Sequence, residues 1–90
     1  MLSKDMLKDV EIIYKSKNYH DLINIEHLSE NTNDIKPNTC FICIKGNKFD
    51  SHDLISTIKP ILIIASRQIE TDIPYIIVKD TLKLLPLLSV

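Results

Sequence analysis

The apolar residues of this chain fall into short runs separated by polar turns. Among the unbroken ones are Ile61-Leu62-Ile63-Ile64-Ala65 and Tyr75-Ile76-Ile77-Val78. Runs of that length and β-branched content predict strands covered on both faces. Residues 40–44, Cys-Phe-Ile-Cys-Ile, predict a third buried strand. Residues 10–14 are β-branched and aromatic enough for a first strand. Residues 21–28 alternate apolar and polar and place a further strand near 25–28. The turns between them are chemically explicit. Residues 29–34, Ser-Glu-Asn-Thr-Asn-Asp, form a dense polar loop, and Pro37-Asn38 is a second turn signal. Ser3 is placed to cap a short helix over 4–8. Asp50 or Ser51 caps a helix over 52–58, buried through Leu54, Ile55 and Ile58 and ended by Lys59-Pro60. Asp80 or Thr81 caps a last helix rich in leucine, kinked or ended at Pro86. Strand, helix, strand, strand and helix in this order form an α/β layer pattern.

Composition narrows the picture. With 90 residues and one modest core, the chain reads as a single domain, 1–90. A hydrophobic content of 44% excludes a disordered tail. A formal net charge of −1, with Arg67 the only arginine, gives no footprint for nucleic acid or an anionic membrane. The run 61–65 is far short of the roughly 20 residues of a membrane span. No charged n-region and apolar h-region open the chain, so a cytoplasmic location is expected. Gly46 is the only glycine. Both Gly-rich phosphate-binding signatures need at least two, so neither is present. Cys40 and Cys43 match C-x-x-C, but positions three apart on a strand face opposite ways. They are expected to be buried core thiols, with no disulfide and no metal site.

Two loops carry the candidate chemistry. One is Asn31-Thr32-Asn33-Asp34-Ile35-Lys36-Pro37-Asn38-Thr39-Cys40-Phe41; the other is Ile44-Lys45-Gly46-Asn47-Lys48-Phe49-Asp50-Ser51-His52-Asp53. In order and spacing they resemble the N-terminal domain of the Mur ligases, the ATP-dependent amino-acid-adding enzymes of peptidoglycan precursor synthesis. That family shows D-S-R-x-[VI]-x-P-G-x-[LI]-F, then a glycine and an x-x-x-D-G-H segment. Tyr75-Ile76-Ile77-Val78-Lys79-Asp80-Thr81 is similar to its later strand and helix start. The similarity runs from about Leu2 to Leu88. The segment 4–8 resembles the start of the third ligase, which adds lysine or diaminopimelate to UDP-N-acetylmuramoyl-L-alanyl-D-glutamate. Residues 49–53 and 76–81 also resemble the fourth, which adds D-alanyl-D-alanine.

The resemblance implies a small mixed-sheet, Rossmann-like α/β domain of two or three layers that holds the UDP end of UDP-N-acetylmuramoyl-peptide. Thr32 and Asn33 fall on the serine and arginine of D-S-R, and Asn47, Lys48 and Phe49 follow the loop glycine, Gly46. The residues suit that work. A threonine hydroxyl donates to carbonyl or phosphate oxygens. Gly46 permits close backbone approach. Lys48 is a point charge for a diphosphate, and Phe49 is a surface for stacking on uracil. The chain departs from the pattern at Asn31, Asn33, Asn38, Ser51 and Lys59-Pro60. Asn38 stands at a family glycine, where asparagine is the next-best residue for left-handed backbone. Simpler readings stand beside these. Thr32 and Asn33 also suit plain turn formers, Lys48 a solvated lysine, and Phe49 a core contact. Asp50 and Asp53 suit a helix cap and a first-turn acid. His20 and His27 are expected to be partly exposed structural residues.

No catalytic residue and no cofactor are expected within 1–90. In a complete ligase ATP and Mg²⁺ would bind a central domain, and the added amino acid a C-terminal one. A stand-alone protein-interaction module, self-associating through the apolar C-terminal helix, is the alternative.

Overall fold

The computed structural model describes residues 1–43 and 58–81. The expected helix over 52–58, the leucine-rich last helix and the loop 45–50 lie outside those residues, except Ile58 and Thr81. Five strands form one mixed sheet in the order β1-β5-β4-β3-β2. They are β1 (Ile12–Lys15), β2 (His27–Ser29), β3 (Thr39–Ile42), β4 (Leu62–Ala65) and β5 (Tyr75–Val78). Strands β2, β3, β4 and β5 run parallel, and β1 pairs antiparallel with β5 at one edge. The apolar pattern implies the α/β class, and the family resemblance implies the mixed sheet.

The unbroken apolar runs are buried on both faces, as parallel interior strands require. Every residue of β3, β4 and β5 is buried. Alternation then divides them. Cys40, Ile42, Leu62, Ile64, Ile76 and Val78 form one core, covered by Met6, Leu7, Ile23 and Ile25. Phe41, Cys43, Ile63, Ala65, Tyr75 and Ile77 form the other, with Ile58 and Ile69. Cys40 and Cys43 thus sit in opposite cores, and no disulfide joins them. Burial, with Cys43 nearby as a smaller cause, pushes the Cys40 thiol far above its ordinary range.

Three local expectations are corrected. The helix α1 is Ser3–Met6, and Leu2 rather than Ser3 holds the N-cap position, without a side-chain cap. The Ser3 hydroxyl turns inward instead. It donates to the His20 carbonyl at 2.8 Å and accepts from the Ile23 N–H at 3.3 Å. Long-range partners, one acceptor and one donor, outcompete the local cap, because a fully buried hydroxyl must be paired. The first strand starts at Ile12, two residues later than the apolar pattern suggests, and its register with β5 shifts between Ile12 and Tyr14. That bulge leaves Ile13 63% exposed, as bulged edge strands do. The second strand is His27–Ser29 rather than 25–28. Ile25 is instead tied to the N-terminus: its N–H donates to the Met1 carbonyl at 2.7 Å, and the Met1 amine to the Ile25 carbonyl at 2.9 Å.

Candidate functional site

Because β2 and β3 are parallel neighbours, their carboxyl ends lie at the same end of the sheet. Ser29 is opposite Phe41 in the register, so the two strands end side by side. The carboxyl end of a parallel sheet is where such folds receive ligands, since the loops there are free of the ladder. The same end carries Arg67 beyond β4 and Lys79 beyond β5, both exposed, together with Glu30 and Asp80.

Of the six residues expected to meet the UDP group, Thr32 and Asn33 are described; Gly46, Asn47, Lys48 and Phe49 lie outside the described residues. Thr32 and Asn33 occupy the two central positions of a turn closed by the Asp34 N–H donating to the Asn31 carbonyl at 3.0 Å. Thr32 is half-buried and Asn33 exposed. The Asn31 side chain builds the turn. Its Oδ1 accepts from the Asn33 N–H at 2.9 Å, the asparagine turn its residue type favours. Ser29 anchors the turn to the strand: its hydroxyl accepts from the Asn31 N–H at 3.1 Å and donates to the Asn31 carbonyl at 3.2 Å. The plain turn-forming role of Asn33 is therefore present, and its side chain is left at the surface.

The rest of the connection from β2 to β3 is held by side chains. Asp34 Oδ2 lies 3.0 Å from His27 Nε2, and its Oδ1 lies 3.9 Å from Lys36 Nζ. The hydrogen bond from His27 holds the Asp34 carboxyl below its ordinary value, with the charges of His27 and Lys36 adding to the effect. Thr39 Oγ1 accepts from the Lys36 N–H at 3.0 Å. Ile35 packs on the core beneath. Asn38 takes φ +60°, the left-handed backbone expected at this family glycine position. Its carbonyl accepts from the Glu26 N–H at 2.9 Å and the His27 N–H at 3.3 Å. His27, Ser29, Asp34 and Thr39 were not among the expected site residues. The Ser-x-Asn spacing at 29–31 signals the turn anchor, whereas no local pattern joins His27 to Asp34.

A second concave feature lies at the opposite, amino end of the parallel strands. It is an open groove of about 430 Å³ lined by residues including His20, Ile23, Pro60, Ile61, Asp72 and Ile73. Among the described residues no lysine or arginine lines it, and Asp72 does. Among the described residues no group of three His, Cys, Asp or Glu is arranged to hold a metal. Likewise no helix among them is long and apolar enough to cross a membrane.

Four parallel strands with an antiparallel strand at one edge define the class: a small Rossmann-like α/β domain. Sequence and fold comparisons identify the family. The chain is 33% identical over 72 residues to the UDP-N-acetylmuramoyl-L-alanyl-D-glutamate–2,6-diaminopimelate ligase of Listeria monocytogenes, covering 77% of this chain and 15% of that protein. It is 32% identical over 62 residues to the UDP-N-acetylmuramoyl-tripeptide–D-alanyl-D-alanine ligase of Escherichia coli K12, covering 66% of this chain and 14% of that protein. The crystal structure of MurF from Acinetobacter baumannii superposes with a TM-score of 0.83 at 20% identity, over 97% of this chain and 20% of that one. No protein-family model matches the chain. The chain belongs with the Mur ligases of peptidoglycan synthesis, as a domain of their N-terminal type. It spans about a seventh of the length of the curated relatives it matches.

Proposed function

We propose that this domain holds the UDP end of UDP-N-acetylmuramoyl-L-alanyl-D-glutamate for the ligase that adds lysine or diaminopimelate. The supporting observation is the parallel pairing of β2 and β3, which puts the carboxyl ends of the two strands preceding these loops in the sequence at one end of the sheet. Thr32 and Asn33 belong to the first loop; Gly46, Asn47, Lys48 and Phe49 belong to the second. In this reading the Thr32 hydroxyl and the second-loop amides donate to uracil or diphosphate oxygens. Lys48 neutralises diphosphate charge and Phe49 stacks on the base. Polar groups that are fixed before the ligand arrives lower the entropy cost of binding it.

The chemistry of the whole ligase lies elsewhere in this reading. ATP converts the substrate carboxylate to an acyl phosphate, and the amine of the incoming amino acid displaces phosphate. The groups for that step, with ATP and Mg²⁺, belong to the central and C-terminal domains, and the enzyme works in the cytoplasm. The E. coli relative and the superposed MurF favour a second reading, the D-alanyl-D-alanine-adding ligase. Calorimetric titration of the 90-residue chain with UDP tests the binding claim. Saturable binding weakened by Thr32→Ala and Lys48→Ala supports it, and no heat at millimolar UDP rejects it. Titrating separately with the dipeptide and pentapeptide UDP-sugars, and assaying the whole ligase with diaminopimelate, lysine and D-alanyl-D-alanine, separates the two readings.

A further inference from the structure

We infer that the pair of His27 and Asp34 is a positioning clamp that sets the Thr32–Asn33 turn for its ligand. Neither residue contacts the ligand in this account; both act through the turn. The inference rests on the UDP reading for its ligand but not for its mechanics.

The connection between β2 and β3 is unusually short. It runs from residue 30 to residue 38, nine residues, and contains no helix. Parallel neighbours ordinarily need a crossover of about a dozen residues, most often helical, whose own backbone bonds keep it in shape. Here the backbone supplies only tight turns, one of them closed from Asp34 to Asn31 and another at 37–38. Side chains do the rest. The chain leaves β2 at Ser29, turns at 31–34, and folds back far enough for Asp34 to reach the first residue of the strand it has just left. The contact spans seven residues of sequence, at 3.0 Å from Asp34 Oδ2 to His27 Nε2. His27 is itself fixed, because it is opposite Thr39 in the ladder and its N–H donates to the Asn38 carbonyl. The anchor is a sheet residue, whereas the residue it restrains ends the turn that holds Thr32 and Asn33.

The other groups around the pair agree. Lys36 adds a cation 3.9 Å from the second Asp34 oxygen, and Ser29 grips Asn31 at the start of the turn. The turn is therefore held at both ends, at Asn31 by Ser29 and at Asp34 by His27. Releasing one end leaves the two central residues held by the other end and by the turn's own hydrogen bonds. Both partners are partly solvent-exposed, at 29% and 43% of their side chains, so the effect on global stability is small. The effect on the turn is local and larger.

The test uses the 90-residue chain as wild type, His27→Ala, Asp34→Asn and His27→Gln. Backbone ¹⁵N relaxation at Thr32 and Asn33 is measured without ligand, and UDP affinity is measured by titration. His27→Ala and Asp34→Asn should raise the mobility of Thr32 and Asn33, while the β4 and β5 amides keep their wild-type values. Glutamine at position 27 retains a side-chain N–H donor for Asp34 and should restore most of the order. UDP affinity should fall about two- to fivefold in the two disruptive variants, the scale of an exposed ion pair, and recover with glutamine. Unchanged relaxation at 32–33 in both disruptive variants overturns the clamp, whatever UDP does. If the turn loosens but UDP affinity is unchanged, its positioning role is rejected. If wild type binds no UDP, the UDP reading fails, and the relaxation data alone decide the clamp.

Discussion

Asn38 provides a sharp test of the backbone that carries the first loop. It sits at φ +60°, where a Cβ is crowded by the following carbonyl. Alanine there lacks the local hydrogen bonding that lets asparagine tolerate this region, at a cost of about 1 kcal/mol. Alanine also removes the bond from Asn38 Nδ2 to Glu26 Oε2, 2.8 Å long and exposed, worth about 0.5 kcal/mol. Asn38→Ala should therefore destabilise the domain by about 1.5 kcal/mol and lower Tm by roughly 6–12 °C. Glycine keeps the left-handed backbone and loses only the side-chain bond, so Asn38→Gly should fall within about 1 kcal/mol of wild type. Urea unfolding followed by circular dichroism reads both, and an unchanged slope shows that stability alone has changed. The expected order is Asn, then Gly close behind, then Ala. An alanine variant as stable as wild type would refute a left-handed residue here. With it would go the geometry that points the Asn38 carbonyl at the N–H groups of Glu26 and His27.

Further outcomes follow from the same structure. Leu62 on the central strand is fully buried, so Leu62→Ala should cost about 2–5 kcal/mol in urea unfolding, while Ile13→Ala on the exposed bulge should cost less than about 0.5 kcal/mol. The Asp34 carboxyl should titrate below its ordinary value of 3.8 by carbon-13 NMR, and move back up in His27→Ala. The sign follows from that depression. Whatever stability Asp34 contributes is complete above the ordinary value and is lost as pH falls through its own lower one. Cys40 should resist iodoacetamide at pH 8 in the folded protein and react once urea unfolds it, because burial disfavours its thiolate.

The interior strands were legible because their chemistry is one-sided. Residues 75–78 have no polar member, and the strand occupies that span. Ile61 to Ala65 overruns β4 by a single residue. The edge strands were less so. β1 has one half-buried residue followed by three exposed ones, so burial left little mark on its sequence, and the bulge at Ile13 broke the alternation. Ser3 has the residue type of a cap, but its partners His20 and Ile23 are brought to it only by the fold. The candidate site divides the same way. Asn31 and Asn38 advertise their turns through residue type, and the left-handed backbone at Asn38 was anticipated from the family glycine. The contact between His27 and Asp34 depends on the loop folding back along β2, which no local spacing encodes. The groove at the amino end of the strands joins residues from three distant segments and left no motif either.

Chemical-shift mapping on the 90-residue chain tests the central claim most directly. UDP-N-acetylmuramoyl-L-alanyl-D-glutamate is titrated while every backbone amide is followed. Saturable shifts are predicted at Thr32 and Asn33, beyond the carboxyl end of β2, and at Asn47, with His20, Ile61 and Ile73 unmoved. Saturable shifts confined to the His20, Ile61 and Ile73 groove, or none at millimolar ligand, would contradict it.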